Sequence, residues 1–289
     1  MSAVAETGTR GLAFLVNRAA GASRGGWIAD RAAARCRAFG AWVALAPCGS
    51  LEEARALVRG LGPDAVPVAV GGDGTANLLI RALRAEGMRE RAAGLLPAGT
   101  GNALAHSLGV AGFDSAVAAL VDGVARPVDV LATSRADAPV ALVSISTGFE
   151  ARFLRHLSRG RRDSRLWSAG MGLALSLGRG DRGARIVLDG AEFLPPERTY
   201  FTAGLYNMPR YAFGRCLVPE ADPRDGLAHA VLYGSARSYW RAWRRGAPPA
   251  GAPDVERRAF RRARVESPGL LQVDGESVSA GAMDVVVER

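Results

Sequence analysis

Apolar positions along this chain follow two rhythms, and the change between them comes near Arg126. In the first part, short apolar runs alternate with stretches of helical period. Gly11 to Asn17, G-L-A-F-L-V-N, reads as a buried strand, Ile28 to Phe39 as a helix and Ala41 to Ala46 as a strand. Leu51 to Arg59 reads as a helix opened by Ser50, with Glu53 in capping-box position. Two strand-turn-helix units follow. Val66, Val68 and Val70 form a short apolar run that stops at a glycine turn, after which Leu78, Leu79, Ala82 and Leu83 recur at helical spacing. Ala93 to Leu108 repeats the plan, with a helical face of Ala103, Leu104, Ala105 and Leu108. This order predicts an α/β domain with a parallel sheet covered on both faces. Past a helix at Ser115 to Val121, short strands dominate: Pro127 to Leu131, Val140 to Ile145, Arg185 to Leu188, Thr199 to Leu205, Leu227 to Leu232, Ala263 to Val265 and Leu270 to Val273. A run of strands after a βα run predicts a second, mainly antiparallel β domain.

The two turns carry the first sign of chemistry. V-P-V-A-V-G-G-D-G-T-A-N places Gly71, Gly72 and Gly74 around Asp73, with Thr75 and Asn77 as side-chain donors. Glycine lets a backbone approach an anion, and the following helix aims unpaired N–H groups and a positive dipole end at the same point. That is phosphate-cradle geometry. One such turn often merely joins a strand to a helix. A second, with Gly99, Thr100, Gly101 and Asn102, lets both line one crevice of an open α/β sheet.

Composition narrows the setting. A chain of 289 residues with 48% hydrophobic content is long enough for two domains. The longest apolar candidate, Leu166 to Leu177, is broken by Gly170 and Gly172 and falls short of the ~18 to 20 residues of a membrane span. The N-terminus has no basic-then-apolar order, so a cytoplasmic protein is expected. Three scattered cysteines, Cys36, Cys48 and Cys216, read as free thiols rather than a disulfide frame or zinc site. Net charge is +9 and every Lys+Arg residue is arginine. A phosphate site therefore has to rely on backbone N–H groups, threonine and arginine in place of a Walker-type lysine. The arginines lack interleaved aromatics or a recognisable module, so no nucleic-acid partner is expected.

G-G-D-G-T-A-N and L-P-A-G-T-G-N-A-L-A together resemble the diacylglycerol kinase catalytic-domain family, which includes sphingosine and ceramide kinases. The resemblance extends through S-T-G-F-E-A (Ser146 to Ala151), Y-N-M-P-R-Y-A-F-G (Tyr206 to Gly214), P-E-A-D-P-R-D-G-L (Pro219 to Leu227) and L-Q-V-D-G-E (Leu271 to Glu276), all in the family's order. It implies transfer of the γ-phosphoryl of ATP to a lipid hydroxyl with Mg²⁺. It also implies a nucleotide-binding domain over 1–126, completed by about 277–289, with Met283 to Val287 returning to it as the last strand. Residues 127–276 would form the lipid-substrate domain. Asn17 would border the nucleotide, although Arg18 stands where the family usually has proline. Of the two acids in the Asp274-Gly275-Glu276 turn, Glu276 corresponds to the proton acceptor of the bacterial lipid kinases. Sphingosine kinases give that role to the acid here numbered Asp73, so both stay candidates. Glu276 is preferred as base, with Asp73 nearer metal and phosphates and Asp274 orienting the turn. The loop with Asp222, Asp225 and Leu227 is similar to one that holds a structural Mg²⁺, and a carboxylate with backbone carbonyls suits a hard cation. From spacing alone, the Asp274-Gly275-Glu276 turn reads as a strand connector and the 222–227 loop as a solvated turn.

The arginines Arg152, Arg155, Arg159, Arg161, Arg162 and Arg165 beside apolar Leu166 to Leu177 form either a solvated helix face or a contact with anionic membrane. A protein peripheral to the membrane is expected, and a homodimer is compatible with these readings. His106, His156 and His229 are isolated. Departures from the family pattern are Leu78 in place of a usual glutamate, Ala103 where many bacterial members have aspartate, and serines Ser144 and Ser146 where asparagine is common. Leu78 keeps a catalytically silent lipid-binding relative in view. A soluble-metabolite kinase related to NAD kinases shares G-G-D-G-T but not the second turn.

Overall fold

The computed structural model of the protein describes residues 11–159, 180–246 and 251–289. The chain divides into two units, Met1–Arg126 and Pro127–Arg289.

The first unit runs β1 (Gly11–Val16), α1 (Ala20–Ser23), α2 (Gly25–Ala38), β2 (Trp42–Pro47), α3 (Leu51–Arg59), β3 (Ala65–Gly71), α4 (Asp73–Ala85), β4 (Gly94–Pro97), α5 (Ala103–Ser107) and α6 (Phe113–Asp122). Its four strands are parallel in the order β2-β1-β3-β4. Leu12 to Val16 and Val68 to Gly71 are buried without alternation, as strands covered on both faces must be. Leu12, Phe14, Val68 and Val70 pack with Ala29, Ala32 and Ala33 of α2 and with Ala116 and Leu120 of α6. Helices α3 and α4 pack together and against β1 and β3. The capping box at α3 forms: Glu53 N donates to Ser50 Oγ at 3.3 Å, and Ser50 N donates to Glu53 Oε2 at 3.0 Å. Strand order reverses between β1 and β3, so the crevice at this sheet's carboxyl edge opens beside Asn17 and Gly71.

The second unit runs β5 (Val130–Thr133), β6 (Val140–Ala141), β7 (Ser144–Gly148), α7 (Phe149–Arg159), β8 (Arg185–Leu188), β9 (Ala191–Leu194), β10 (Thr202–Tyr206), β11 (Arg210–Tyr211) and β12 (Arg215–Cys216). It continues with β13 (Ala228–Tyr233), α8 (Ala236–Arg245), β14 (Val255–Phe260), β15 (Arg262–Ser267), β16 (Leu271–Val273), β17 (Glu276–Val278) and β18 (Gly281–Glu288). Two six-stranded antiparallel sheets, β14-β13-β10-β7-β16-β17 and β6-β5-β18-β15-β8-β9, share one apolar core. Ile145, Leu205, Leu232 and Leu271 enter it from the first, and Leu131, Ile186, Val265 and Met283 from the second.

Two expectations change here. The last strand does not return to the parallel sheet: β18 pairs antiparallel with β15 and β5, and the second unit runs to Arg289. Met283 and Val285 are buried while Ala282, Asp284 and Val286 face out, a half-buried pattern suited to an antiparallel sheet and not to a doubly covered parallel one. Val140 to Ile145 is also not one strand. It splits into β6 and β7 because the amides of Leu142, Val143 and Ser144 turn to the Asp274 carboxylate instead of a ladder.

The β14 sheet has a second apolar cluster, with Phe149, Phe201, Tyr206, Tyr233 and Tyr239. Glu150 is buried within it, accepting hydrogen bonds from Tyr206 Oη at 3.0 Å and Tyr239 Oη at 3.1 Å. Burial pushes its carboxyl above the usual glutamate range, and hydrogen bonds from Ser146, Tyr206 and Tyr239 oppose that shift. A raised folded pKa favours the protonated form, so the contribution to stability is present below the unfolded value and is lost as pH rises through the folded one. Glu150→Gln should therefore gain stability relative to the parent as pH rises above the usual glutamate range. Denaturant midpoints measured across that window test this, and a constant difference between the two proteins would contradict it.

Candidate active site

In the first unit, three loops that the sequence marked converge at the carboxyl edge of the parallel sheet. Asn17, just past β1, donates from Nδ2 to Thr75 Oγ1 at 3.2 Å, and its own Oδ1 accepts from Ala19 N at 3.1 Å. Thr75 is buried in the first turn of α4. The α4 N-cap is Gly72, which has no side chain to cap with, so the amides of Asp73 and Gly74 begin the helix without such a cap. The positive end of the helix dipole favours negative charge at this point. Thr100 stands exposed on the neighbouring turn, while Gly74, Asn77, Gly101 and Asn102 are partly exposed.

The two glycine turns touch backbone to backbone. A Cβ on Gly99 would lie 2.5 Å from Gly72 Cα and 2.8 Å from Asn102 Oδ1. Gly71 O accepts from Ala98 N at 2.8 Å, which ties the turns at their base. Asn102 takes a left-handed conformation, φ 47° and ψ 41°, and turns its side chain back onto Gly99. Its Oδ1 accepts from Gly99 N at 3.0 Å and its Nδ2 donates to Gly99 O at 2.9 Å. Asn102 is the N-cap of α5 yet makes no side-chain cap bond there. Asp73 supplies that cap from the other turn: Oδ2 accepts from Ala103 N at 3.0 Å and Oδ1 from Leu104 N at 2.9 Å. Burial pushes the Asp73 carboxyl up, and these two amides pull it back toward ionisation. Asp73 is therefore a bridge between the turns, with each oxygen engaged by a backbone amide.

The second unit places the other acids. Asp274 and Gly275 have φ of 49° and 89°, the two positive values of a type I′ hairpin turn joining β16 to β17. Asp274 Oδ2 accepts from Leu142 N at 2.7 Å, and Oδ1 accepts from Val143 N at 2.8 Å and Ser144 N at 3.0 Å. Its carboxylate is thus occupied in holding the loop before β7. Glu276, opposite Val273 at the start of β17, is exposed.

The loop expected to hold a cation carries its own set of side-chain bonds. Asp222 is paired with Arg224, at 2.8 and 3.2 Å, which holds its carboxyl below the usual range. Asp225 Oδ1 accepts from Leu227 N at 2.9 Å. Asp129, just ahead of β5, grips this loop. Its N donates to Pro223 O at 2.7 Å, and its Oδ2 accepts from Gly226 N at 2.7 Å. Asp129 is fully buried and its Oδ1 has no hydrogen-bond partner. Burial pushes its carboxyl up, the Gly226 amide and the charge of Arg289 oppose, and the charges of Asp225 and Asp222 add to the rise. A lone acid in the apolar stretch P-V-D-V-L was the available signal, because an acid is rarely fully buried without a partner. Among the described residues no three His, Cys, Asp or Glu side chains form a ready metal cluster. Of the arginines expected to meet a membrane, Arg152 is ion-paired with Asp181. Arg161, Arg162, Arg165 and Leu166 to Leu177 lie outside the described residues.

Residues 11–133 match the family model of the diacylglycerol kinase catalytic domain. No curated protein matches the chain. The crystal structure of a diacylglycerol kinase from Bacillus anthracis str. Sterne is similar with a TM-score of 0.74 at 15% identity, over 98% of this chain and 96% of that one. Two other structures from that organism, both named only provisionally as such kinases, give TM-scores of 0.74 and 0.72 at 16% and 15% identity over the same shares. At these identities the likeness establishes the fold.

The Gly72–Gly99 contact yields a direct test. Gly99→Ala should force the turns apart and destabilise the protein by about 1 to 3 kcal/mol, the usual cost of overpacking. Gly62→Ala, with nothing within 4 Å of its added Cβ, should be neutral or slightly stabilising. Denaturant unfolding of the two variants checks this, and equal effects would contradict the contact.

Proposed function

We propose that this chain, whose residues 11–133 match the family model of the diacylglycerol kinase catalytic domain, transfers the γ-phosphoryl of ATP to the hydroxyl of a membrane lipid, diacylglycerol or a sphingoid base. The observation that carries this reading is the pair of glycine turns bridged by Asp73 at the strand-order reversal of the parallel sheet. Phosphoryl transfer depends on positioning and on stabilising charge over the phosphate oxygens. The cradle offers backbone amides, the start of α4, Thr100 and Asn77 for that purpose, in a chain without lysine. Gly71, Gly72, Gly74, Thr75, Gly99 and Asn102 shape it, and Asn17 fixes Thr75.

Mg²⁺, when bound with the nucleotide, supplies charge neutralisation of the phosphates. The 222–227 loop is our candidate site for a hard cation. The unpartnered Oδ1 of Asp129 fits such an ion, with Asp225 and carbonyls near Asp222 and Leu227 as further oxygen donors, while Arg224 already holds the Asp222 carboxylate.

Glu276 is proposed as the general base. The occupation of Asp73 and Asp274 by backbone amides favours it, since each of those carboxylates would give up structural bonds on taking a proton. Glu276 is exposed and on a defined strand. Leu78 supports a second reading, a relative that binds lipid without turnover. Incubation with labelled ATP, Mg²⁺ and a total lipid extract separates the two, because the kinase reading expects label in a lipid product and the silent one none. Glu276→Gln should lower turnover by about 10²-fold or more and leave ATP affinity nearly unchanged. Full turnover in that variant would remove the base from Glu276.

A further inference from the structure

The helix α8, A-R-S-Y-W-R-A-W-R-R, buries Tyr239 and Ala242 and exposes Arg237, Arg241, Arg244 and Arg245. Arg237, Arg241 and Arg244 fall at i, i+4 and i+7, one above another on a single face. Among the described residues none of these arginines is ion-paired, and the helix contains no acid. Asp254 is the acid whose charge Arg241 reaches, and hydroxyls of Ser235 and Ser238 hold its oxygens at 2.6 to 2.8 Å. Like charges stacked at this spacing repel, so the face gains from an anionic surface brought to it.

Tryptophans flank the stripe. Trp240 meets Phe149 edge-on at 5.6 Å between ring centroids, and Trp243 meets Tyr211 at 6.4 Å, so both are anchored on the aromatic cluster. Each remains partly exposed, and Trp240 lines a groove with Arg237, Arg241, Arg244 and Arg245. Tryptophan with one side on apolar packing and the other toward water is the arrangement enriched at membrane interfaces.

A separate feature lies beside the helix. Tyr211, which touches Trp243, belongs to the β11–β12 hairpin, whose tip residue Phe213 is 63% exposed. Phe213 has φ 58°, a left-handed conformation that is strained for a bulky side chain. The hairpin therefore presents an aromatic ring to solvent at a backbone cost that a glycine or asparagine would avoid. Arg215 is exposed next to it.

We propose that α8 and the 210–216 hairpin form a docking surface for an anionic lipid bilayer. The arginines meet headgroup phosphates, while Phe213 and the exposed edges of Trp240 and Trp243 enter the interfacial layer. This surface is built from residues other than Arg152 to Arg165, and its choice of occupant rests on the lipid-kinase reading.

The test uses the full chain without ATP, sedimented with vesicles of phosphatidylcholine alone or mixed with phosphatidylglycerol. The parent should bind the mixed vesicles preferentially, and binding should fall as salt shortens the Debye length from ~10 Å at 0.1 M to ~3 Å at 1 M. Replacing Arg237, Arg241 and Arg244 together by glutamine should weaken partitioning about a hundredfold and abolish the anionic preference. Phe213→Asn keeps the left-handed turn and removes the ring. It should weaken partitioning about tenfold, with little salt dependence of the loss. Both variants should unfold at or slightly above the parent's midpoint, since each relieves strain or repulsion, and keep its turnover on a short-chain acceptor dispersed in detergent. Equal binding to both vesicle types, undiminished binding by the arginine variant, or binding to a single-stranded oligonucleotide with none to vesicles would each overturn the proposal. Vesicle binding without lipid phosphorylation would count against the kinase reading and uphold the surface.

Discussion

Two hydrogen bonds donated to one carboxylate organise the first unit's site. Asp73 opens α4 and accepts the first two amides of α5, so the glycine turns after β3 and β4 are fixed to each other. The rest of the cradle follows from that bridge. Gly72 and Gly99 approach too closely for a Cβ, and Asn102 is released from capping its own helix to staple Gly99. Burial alone would push Asp73 toward its neutral form. The amides that it caps also stabilise its charge, so cap and carboxylate depend on each other.

The second unit uses the same device. Asp274, on a positive-φ turn, gathers three amides of the segment before β7, and Asp129 closes on both the amide of Gly226 and the carbonyl of Pro223. Asp73, Asp129 and Asp274 thus serve first as backbone clamps in this chain. That distinction bears on chemistry, because a proton acceptor must change its protonation without losing the bonds that position it. Glu276, exposed beside Asp274, meets that condition better than either clamp.

The parallel sheet, its helices and the glycine turns were legible because their signals are local. Apolar period, a capping box and glycine clusters are all decided within a few residues. What escaped depends on partners far along the chain. The oxygens of Asp73 reach amides 30 and 31 positions away, and Asp129 reaches Gly226 across 97. Strand β14 was hidden by Glu256, Arg257 and Arg258, which an edge strand tolerates and a periodicity search reads as loop. The expectation that β18 returns to the first sheet came from resemblance rather than from its own alternation of Met283 and Val285 with exposed neighbours, and the alternation prevailed. The ion pair of Arg152 was hidden for a similar reason, since its acid partner Asp181 lies 29 residues on.

Hydrogen exchange at the amides of Ala103 and Leu104 addresses the Asp73 bridge most directly. Helix N-terminal amides without a cap exchange readily, because they have no intrahelical acceptor. In the parent protein both should be protected. Asp73→Asn leaves one acceptor oxygen and turns an NH₂ toward the other amide, so at least one of the two should lose protection while amides in the β1 and β3 cores keep theirs. Unprotected Ala103 and Leu104 amides in the parent, or unchanged protection in Asp73→Asn, would contradict the account.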